Sequence, residues 1–384
     1  MNFQIDPKKF KSAKDTKSLE DISALSSEEK ERLKLLGVDE RIPHEGEYLQ
    51  VDARPILCRK KVDGLEIMPI REAMKKFKDF DRYYWKILSP EKDEFTKATA
   101  EDLDDGYFIR VLPKVKLTFP VQTCLYIRSD EIAQKVHNIV IVEEDAELNL
   151  LTSCSVHPHI SSALHIGVSE FYVKRRGKVT FTMVHMWGEN IAVRPRTGIL
   201  VEEGGIYIST YVSLFPVKTI QTSPICRLLG EGASASFISI IANHPGSHLD
   251  IGGEVYLEAE NTKTELISRN VIYGGTNIAR GKIVALSPKV KGHLECQGLM
   301  LSDEGWMQAI PELQSKFSEV ELTHEAAVGK IAREEVEYLM ARGLTEEEAT
   351  SLIVKGFLSV KIEGLSKELQ AQIDKTLELA KLGF

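Results

Sequence analysis

Close pairs of cysteines are missing from this sequence. Its five cysteines stand far apart at Cys58, Cys124, Cys154, Cys226 and Cys296, with no CxxC among them. That spacing excludes a zinc ribbon, a thioredoxin-type redox pair and a dense disulfide framework, and it predicts free thiols. A basic excess is missing too. The 49 Lys and Arg are outnumbered by 57 Asp and Glu, for a net charge of −8, which argues against a nucleic-acid binder. No apolar run approaches the ~18 residues of a membrane span, and MNFQIDPKKF has no apolar signal-peptide core. A cytoplasmic protein that binds neither nucleic acid nor membrane is expected. The stretch GGTNIARGK (Gly274–Lys282) lacks the GxxxxGK[ST] spacing of a phosphate loop, so no ATP site of its own is predicted.

What is present is the composition of an ordinary globular chain, 43% hydrophobic and 28% charged over 384 residues, enough for two or three parts. Ser27, the following Glu28 and Glu29, and Gly37 bracket a short capped helix. The chain reads as extended over Tyr48–Val62. Pro69 then opens a helix with Ile70, Ala73, Met74 and Phe77 on one face. The aromatics Phe77, Phe80, Tyr83, Tyr84 and Trp85, interleaved with Lys and Arg, suit either base stacking or a cap on a neighbouring domain. The acidic total favours the cap.

From about Tyr107 the period changes to two and a repeat begins. An aliphatic anchor, a short polar bend, a small residue and a further extended run recur at Val111, Val142, Val173, Val201, Leu229, Leu257 and Leu286. The anchors are 31, 31, 28, 28, 28 and 29 residues apart, and Ala146, Gly177, Gly205 and Ala233 fill four of the small positions. Two strands per near-constant period, with no helix between them, predict seven stacked coils of a β-helix; a β-sandwich suits the regular spacing less well. Beyond Leu301 the pattern breaks up, and Pro311 suggests a last strand or loop. Helices are expected over roughly 327–341, closed by Gly343; after a Thr345–Glu348 capping box, with Ala349, Leu352, Ile353 and Phe357 on one face; and over 366–381.

Two groups of residues carry the types of side chain that hold metals. The first is Cys296, in the last alternating run, with His324 and Glu325 at the expected start of the helical region. Each has a plain alternative: a thiol on an apolar face is usually core, and a carboxylate at a helix start is favourable in itself. One Cys and one carboxylate are too few for a permanent cluster, which usually takes four thiolates. The second group is Cys154, His157 and His159, one ligand short of a mononuclear zinc or iron site; a polar loop between coils is its alternative.

Three stretches, ISRNVIYGG (267–275), the run around Cys296 and THEAAVGKIAREEVEYLMARGLTEEEATSLIVKGF, resemble the SufB/SufD family, the scaffold subunits of the SUF system of iron–sulfur cluster assembly. VTFTMVHMW (179–187) resembles a strand of the same family. The resemblance implies a mainly β protein. It would have an N-terminal helical and mixed α/β region over 1–105, a right-handed parallel β-helix over 106–322, and a C-terminal helical region over 323–384 that docks a SufC-type ABC ATPase. It implies a scaffold rather than an enzyme. Two copies, or one copy with a SufD-like paralogue, would build a labile iron–sulfur cluster between them and pass it to apo-proteins. Cys296, His324 and Glu325 together resemble the SufB type, and make these three the expected cluster-binding and metal-binding residues. A compact, archaeal-type member is the nearest description. The competing expectation is a β-helix carbohydrate-active enzyme, a lyase or hydrolase, but no Asp/Glu pair recurs at one coil position to serve it.

Overall fold

The computed structural model describes residues 4–16, 19, 21–35, 38, 42–358 and 371. A two-residue strand β1 (Lys11–Ser12) precedes helix α1 (Ser27–Leu35), and strands β2 (Gly46–Val51), β3 (Arg54–Lys60) and β4 (Leu65–Pro69) follow. Helices α2 (Ile70–Lys76) and α3 (Glu94–Glu101) complete the N-terminal part. The chain then winds through eight coils. The first three are β5 (Tyr107–Val111) with β6 (Val121–Ile127), β7 (Ile132–Val142) with β8 (Glu147–Val156), and β9 (Ala163–Val173) with β10 (Lys178–Met186). In the next three the first strand is broken in two. These coils are β11 (Ile191–Val193), β12 (Arg196–Val201) and β13 (Ile206–Ser213); β14 (Thr219–Thr222), β15 (Ile225–Leu228) and β16 (Ser234–Asn243); and β17 (His248–Ile251), β18 (Glu254–Leu257) and β19 (Lys263–Ile272). The seventh coil is β20 (Gly275–Ala285) with β21 (Val290–Met300), and the eighth is β22 (Gly305–Ser315) with β23 (Val320–Lys330). Helices α4 (Arg333–Met340) and α5 (Glu346–Leu358) close the described chain.

Successive coils pair in parallel, giving one 13-stranded and one 10-stranded sheet that face each other across the lumen. The architecture is therefore the expected parallel β-helix, with eight coils instead of seven. The eighth escapes a periodicity argument because β22 and β23 lie at the end of the stack, where little is buried on either face.

One column fixes the register of the stack. Val111, Val142, Val173, Val201, Leu228, Leu257 and Ala285 pair in sequence and are all buried. The sequence repeat placed Leu229 and Leu286 in it, and both are exposed. The reason lies in the bend. Each bend turns through a left-handed residue, namely Lys114, Asp145, Arg176, Gly204, Gly232, Asn261 and Lys289. From the fifth coil onward the bend holds one more residue, which moves the buried anchor back by one. The bends are tied to one another by main-chain bonds: Asp145 N–H donates to Arg175 O (3.1 Å), Arg176 to Glu203 O (2.8 Å) and Gly204 to Glu231 O (2.9 Å).

The two ends of the stack differ. At the start, the hairpin β2–β3 and the strand β4 add antiparallel strands to the two sheets, which blunts both edges. Helix α1 begins with a capping box in which Ser26 and Glu29 exchange bonds of 3.2 and 2.8 Å, one residue earlier than the sequence suggested. Helix α2 buries Ile70 and Ala73 as expected. The aromatics after it pack with Phe108, Ile139, Ile141 and Tyr172 on the outer face of the first sheet, so the cluster is a cap. At the far end, β22 pairs only with β20 and β23 only with β21 among the described residues. Their outer edges carry unpaired backbone groups.

The helices begin later than expected. The run from Ala327 continues as strand to Lys330, and α4 starts at Arg333, so β23 runs through the boundary expected at 322/323. In α5 the buried face is Ala349, Val354 and Leu358 with half-buried Phe357, whereas Leu352 is exposed. This helix rests on the outer face of the second sheet, over β19. The expected helix over 366–381 lies, apart from residue 371, outside the described residues. No described helix is long and apolar enough to cross a membrane.

Candidate functional site

Cys296 sits in β21, in register between Ser268 of β19 and Ala326 of β23. Alternation turns it, with Leu294, toward the lumen, where it is 2% exposed and belongs to the main core. There it borders a cavity of about 90 Å³, shared with Met183, His185, Tyr211, Ser239 and Ser268. Burial, helped by the charge of neighbouring Glu295, pushes the thiol up to about 11. The thiol is therefore protonated at neutral pH, and any metal bound there would have to displace that proton. Across the lumen, Met307 of β22 reaches to Gly298 of β21, where an added Cβ would stand 2.1 Å from its Sδ. Gly298 leaves the room that Met307 fills beside Cys296.

His324 and Glu325 lie within strand β23, not at a helix start. On a strand, adjacent side chains point to opposite faces. His324 is in register with Leu294, and so shares the face of Cys296, while Glu325 is in register with Glu295 on the other face. Both are exposed because β23 is the last strand. The structure thus brings Cys296 and His324 to one face on adjacent strands and sets Glu325 on the reverse of the same edge. That exposure also hid the strand from the sequence: with neither face buried, THEAAVGK shows no alternation.

Glu295 is held in place. Arg269 Nη1 of β19 lies 2.7 Å from one Glu295 oxygen, and Gln297 Nε2 donates to the same oxygen at 2.6 Å. The Arg269 guanidinium also lies 5.9 Å from the ring centroid of Phe357 on α5. Glu325, its cross-strand neighbour, makes no hydrogen bond or ion pair with any described residue. Nothing in the spacing of Arg269 and Glu295, 26 positions apart, signalled this ion pair. Only the register of the coils brings them together.

The second group separates. Cys154 is buried in β8, its Sγ donating to Met183 Sδ at 3.7 Å, whereas His157 and His159 lie on the bend beyond, with rings 5.2 Å apart. Among the described residues no three His, Cys, Asp or Glu side chains are placed to hold a metal ion. A line of polar residues inside the lumen went unnoticed in the sequence. Tyr211 Oη lies 2.8 Å from His185 Nδ1, and Ser239 Oγ 3.1 Å from Ser268 Oγ. Burial holds both His165 (at about 3) and His185 well below the ordinary histidine range. The available signal was polar residues recurring at inward positions one coil apart.

Residues 125–357 match the family profile described as SUF system FeS cluster assembly, SufBD core domain. An iron-sulfur cluster assembly SufBD family protein of Archaeoglobus fulgidus is 48% identical over 355 residues, covering 92% of this chain and 95% of that one. One from Methanothermobacter thermautotrophicus is 44% identical over 363 residues, covering 93% and 88%. The iron-sulfur cluster assembly protein SufB of Bacillus subtilis is 28% identical over 329 residues, covering 84% and 70%.

Proposed function

The chain belongs to the SufBD family of the SUF iron–sulfur cluster assembly system, and from that premise we propose that it is a SufB-type scaffold that builds a labile cluster between two copies of itself. Its place in iron–sulfur assembly follows from the family. The dimer, the ligands, the ATPase and the hand-over to apo-proteins are the proposal.

The observation that carries the proposal is the open eighth coil. Strands β22 and β23 each leave an edge of 11 residues unpaired among the described residues, with Trp306 and Val328 exposed there. Long bare edges attract a strand from another chain. Closure by a second copy about a two-fold axis pairs each edge and doubles every ligand. Two Cys296, two Glu325 and the flanking His324 side chains then supply what one chain lacks. Cys296 and His324 approach from the lumen side, and Glu325 from the reverse of the edge strand. A mixed set of thiolate, imidazole and carboxylate holds a cluster less firmly than four thiolates, as transfer requires. The thiol of Cys296 is covered in the single chain, so loading needs the end of the stack to move. A SufC-type ABC ATPase docked on α4 and α5 is the lever in this reading. The exposed Tyr338, Met340 and Leu352 support a partner there. No chemistry is assigned to the chain beyond holding the cluster, and the cytoplasm is its expected location. Membership of the family leaves the carbohydrate-enzyme alternative without support.

Anaerobic reconstitution tests this reading by iron content, sulfide content and absorbance near ~400 nm, where thiolate-bound clusters absorb. Cys296→Ser and Glu325→Ala should lose the cluster, and His324→Ala should weaken it. Full retention in the first two, with loss in Cys154→Ser, would move the site to the Cys154 tract. Removal of residues 332–384 should abolish ATPase co-purification and leave a soluble β-rich core.

A further inference from the structure

A chain of neighbours runs from helix α5 to the strand that carries Glu325. Phe357 of α5 lies against the guanidinium of Arg269, Arg269 pairs with Glu295 at 2.7 Å, and Glu295 is the in-register neighbour of Glu325. The pair is largely shielded, with side chains 15% and 14% exposed, and Gln297 braces the same carboxylate. Cross-strand neighbours on one face bring their Cβ atoms to about 5 Å. Without Arg269, two carboxylates would stand side by side on the outer face of the sheet, opposite to the face of Cys296, and jointly attract a cation. With Arg269 in place, Glu295 is neutralised and drawn toward β19, and Glu325 stands alone.

We propose that Arg269 is a positioning residue which keeps Glu295 away from Glu325 for as long as Phe357 lies over it, so that the seating of α5 sets how many carboxylates face a metal at the end of the stack. When α5 shifts, Arg269 loses its apolar cover and Glu295 turns to join Glu325. The device rests on the reading of Glu325 as a ligand. It needs no chemistry, only a change in which of two partners Glu295 meets, so it has the form of a two-position switch.

The test is an anaerobic titration of the full chain with Co²⁺, followed by visible absorption, alongside thermal unfolding of each variant. Arg269→Met should bind Co²⁺ about tenfold more tightly than the parent, a difference of about 1.4 kcal/mol. Arg269→Lys should retain the parent affinity, and the double variant Arg269→Met with Glu295→Gln should return to it. Phe357→Ala should move affinity in the same direction as Arg269→Met without substituting either member of the ion pair. It therefore carries the test if the arginine variant folds poorly. Unchanged affinity in both Arg269→Met and Phe357→Ala, with weaker binding in Glu325→Gln, would overturn the switch and leave the ligand reading intact. Unchanged affinity in Glu325→Gln would overturn the ligand reading and the switch with it.

Discussion

Nε2 of His137 lies 3.0 Å from Oε2 of Glu170, and neither side chain reaches solvent. The same carboxylate accepts the backbone N–H groups of Trp85 (2.8 Å), Ile87 (2.6 Å) and Leu88 (3.1 Å). One side chain on β9 thereby staples the N-terminal cap to the coils, and it holds Trp85 in a left-handed backbone conformation that a bulky residue rarely adopts. Glu170→Ala would strand three donors, one buried and two half-buried, and a buried histidine. The expected loss is about 3–5 kcal/mol by denaturant unfolding, with rapid hydrogen exchange over residues 83–90. Glu170→Gln, which keeps one acceptor oxygen, should lose less.

The corrected register makes a sharp stability prediction. Leu228 is fully buried between Val201 and Leu257, while Leu229 lies exposed on the bend. Leu228→Ala should therefore cost about 2–5 kcal/mol, and Leu229→Ala within about 0.5 kcal/mol. Equal losses would mean that the column runs through the wrong residue.

That pair also shows how far the fold was legible. Period-two alternation and small residues at the bends are local consequences of stacking, so the coils from Val111 to Val201 could be read directly. One extra residue in the bend after Leu228 leaves hydrophobicity unchanged but shifts which leucine faces inward. The adjacent pair Leu228–Leu229 offers no pattern to choose between them. The last coil was invisible for the opposite reason, since its strands bury little by themselves and the burial that shapes a pattern is absent.

A candidate site could be proposed from residue types, but its geometry could not be read from the sequence. Cys296, His324 and Glu325 stood out by their chemistry and by resemblance. That His324 and Glu325 occupy opposite faces follows only from their lying in a strand. The Arg269–Glu295 pair is a product of coil register, which spacing along the chain does not disclose.

Asp104 gives a pH prediction. It is 3% exposed, and burial pushes its carboxyl up to about 7, against the N–H of Lys135 that one oxygen accepts at 2.7 Å. Because the folded value is raised above the unfolded one, the folded state holds the proton more tightly. The site is favourable below the unfolded value near 4 and loses that benefit as pH rises through about 7. Asp104→Asn removes the charge at every pH. It should be more stable than the parent at pH 8, by about 1–3 kcal/mol or more, with the gain shrinking as pH falls and gone near pH 3, below the unfolded value. Thermal unfolding of both proteins across that range checks the sign.

The final prediction concerns when Cys296 can act. Burial raises Cys58 and Cys124 to about 12, lifts Cys154 and Cys226 as well, and takes Cys296 only to about 11. At pH 8 about one Cys296 in a thousand is thiolate, and its 2% exposure leaves an alkylating reagent little access. In the chain alone, iodoacetamide should leave Cys124, Cys154, Cys226 and Cys296 unlabelled over minutes. If loading opens the end of the stack, addition of the proposed SufC-type ATPase and ATP should speed labelling of Cys296 alone, by tenfold or more. The other three should remain protected, because Cys154 and Cys226 lie in the interior of coils two and five and Cys124 is buried on the outer face of coil one beneath α1 and the β2–β3 hairpin. Uniform acceleration would mean general loosening of the β-helix. No acceleration, with the ATPase bound and turning over, would show that opening at β22 and β23 is not how the thiol is reached. Peptide mass spectrometry after short labelling pulses separates these outcomes.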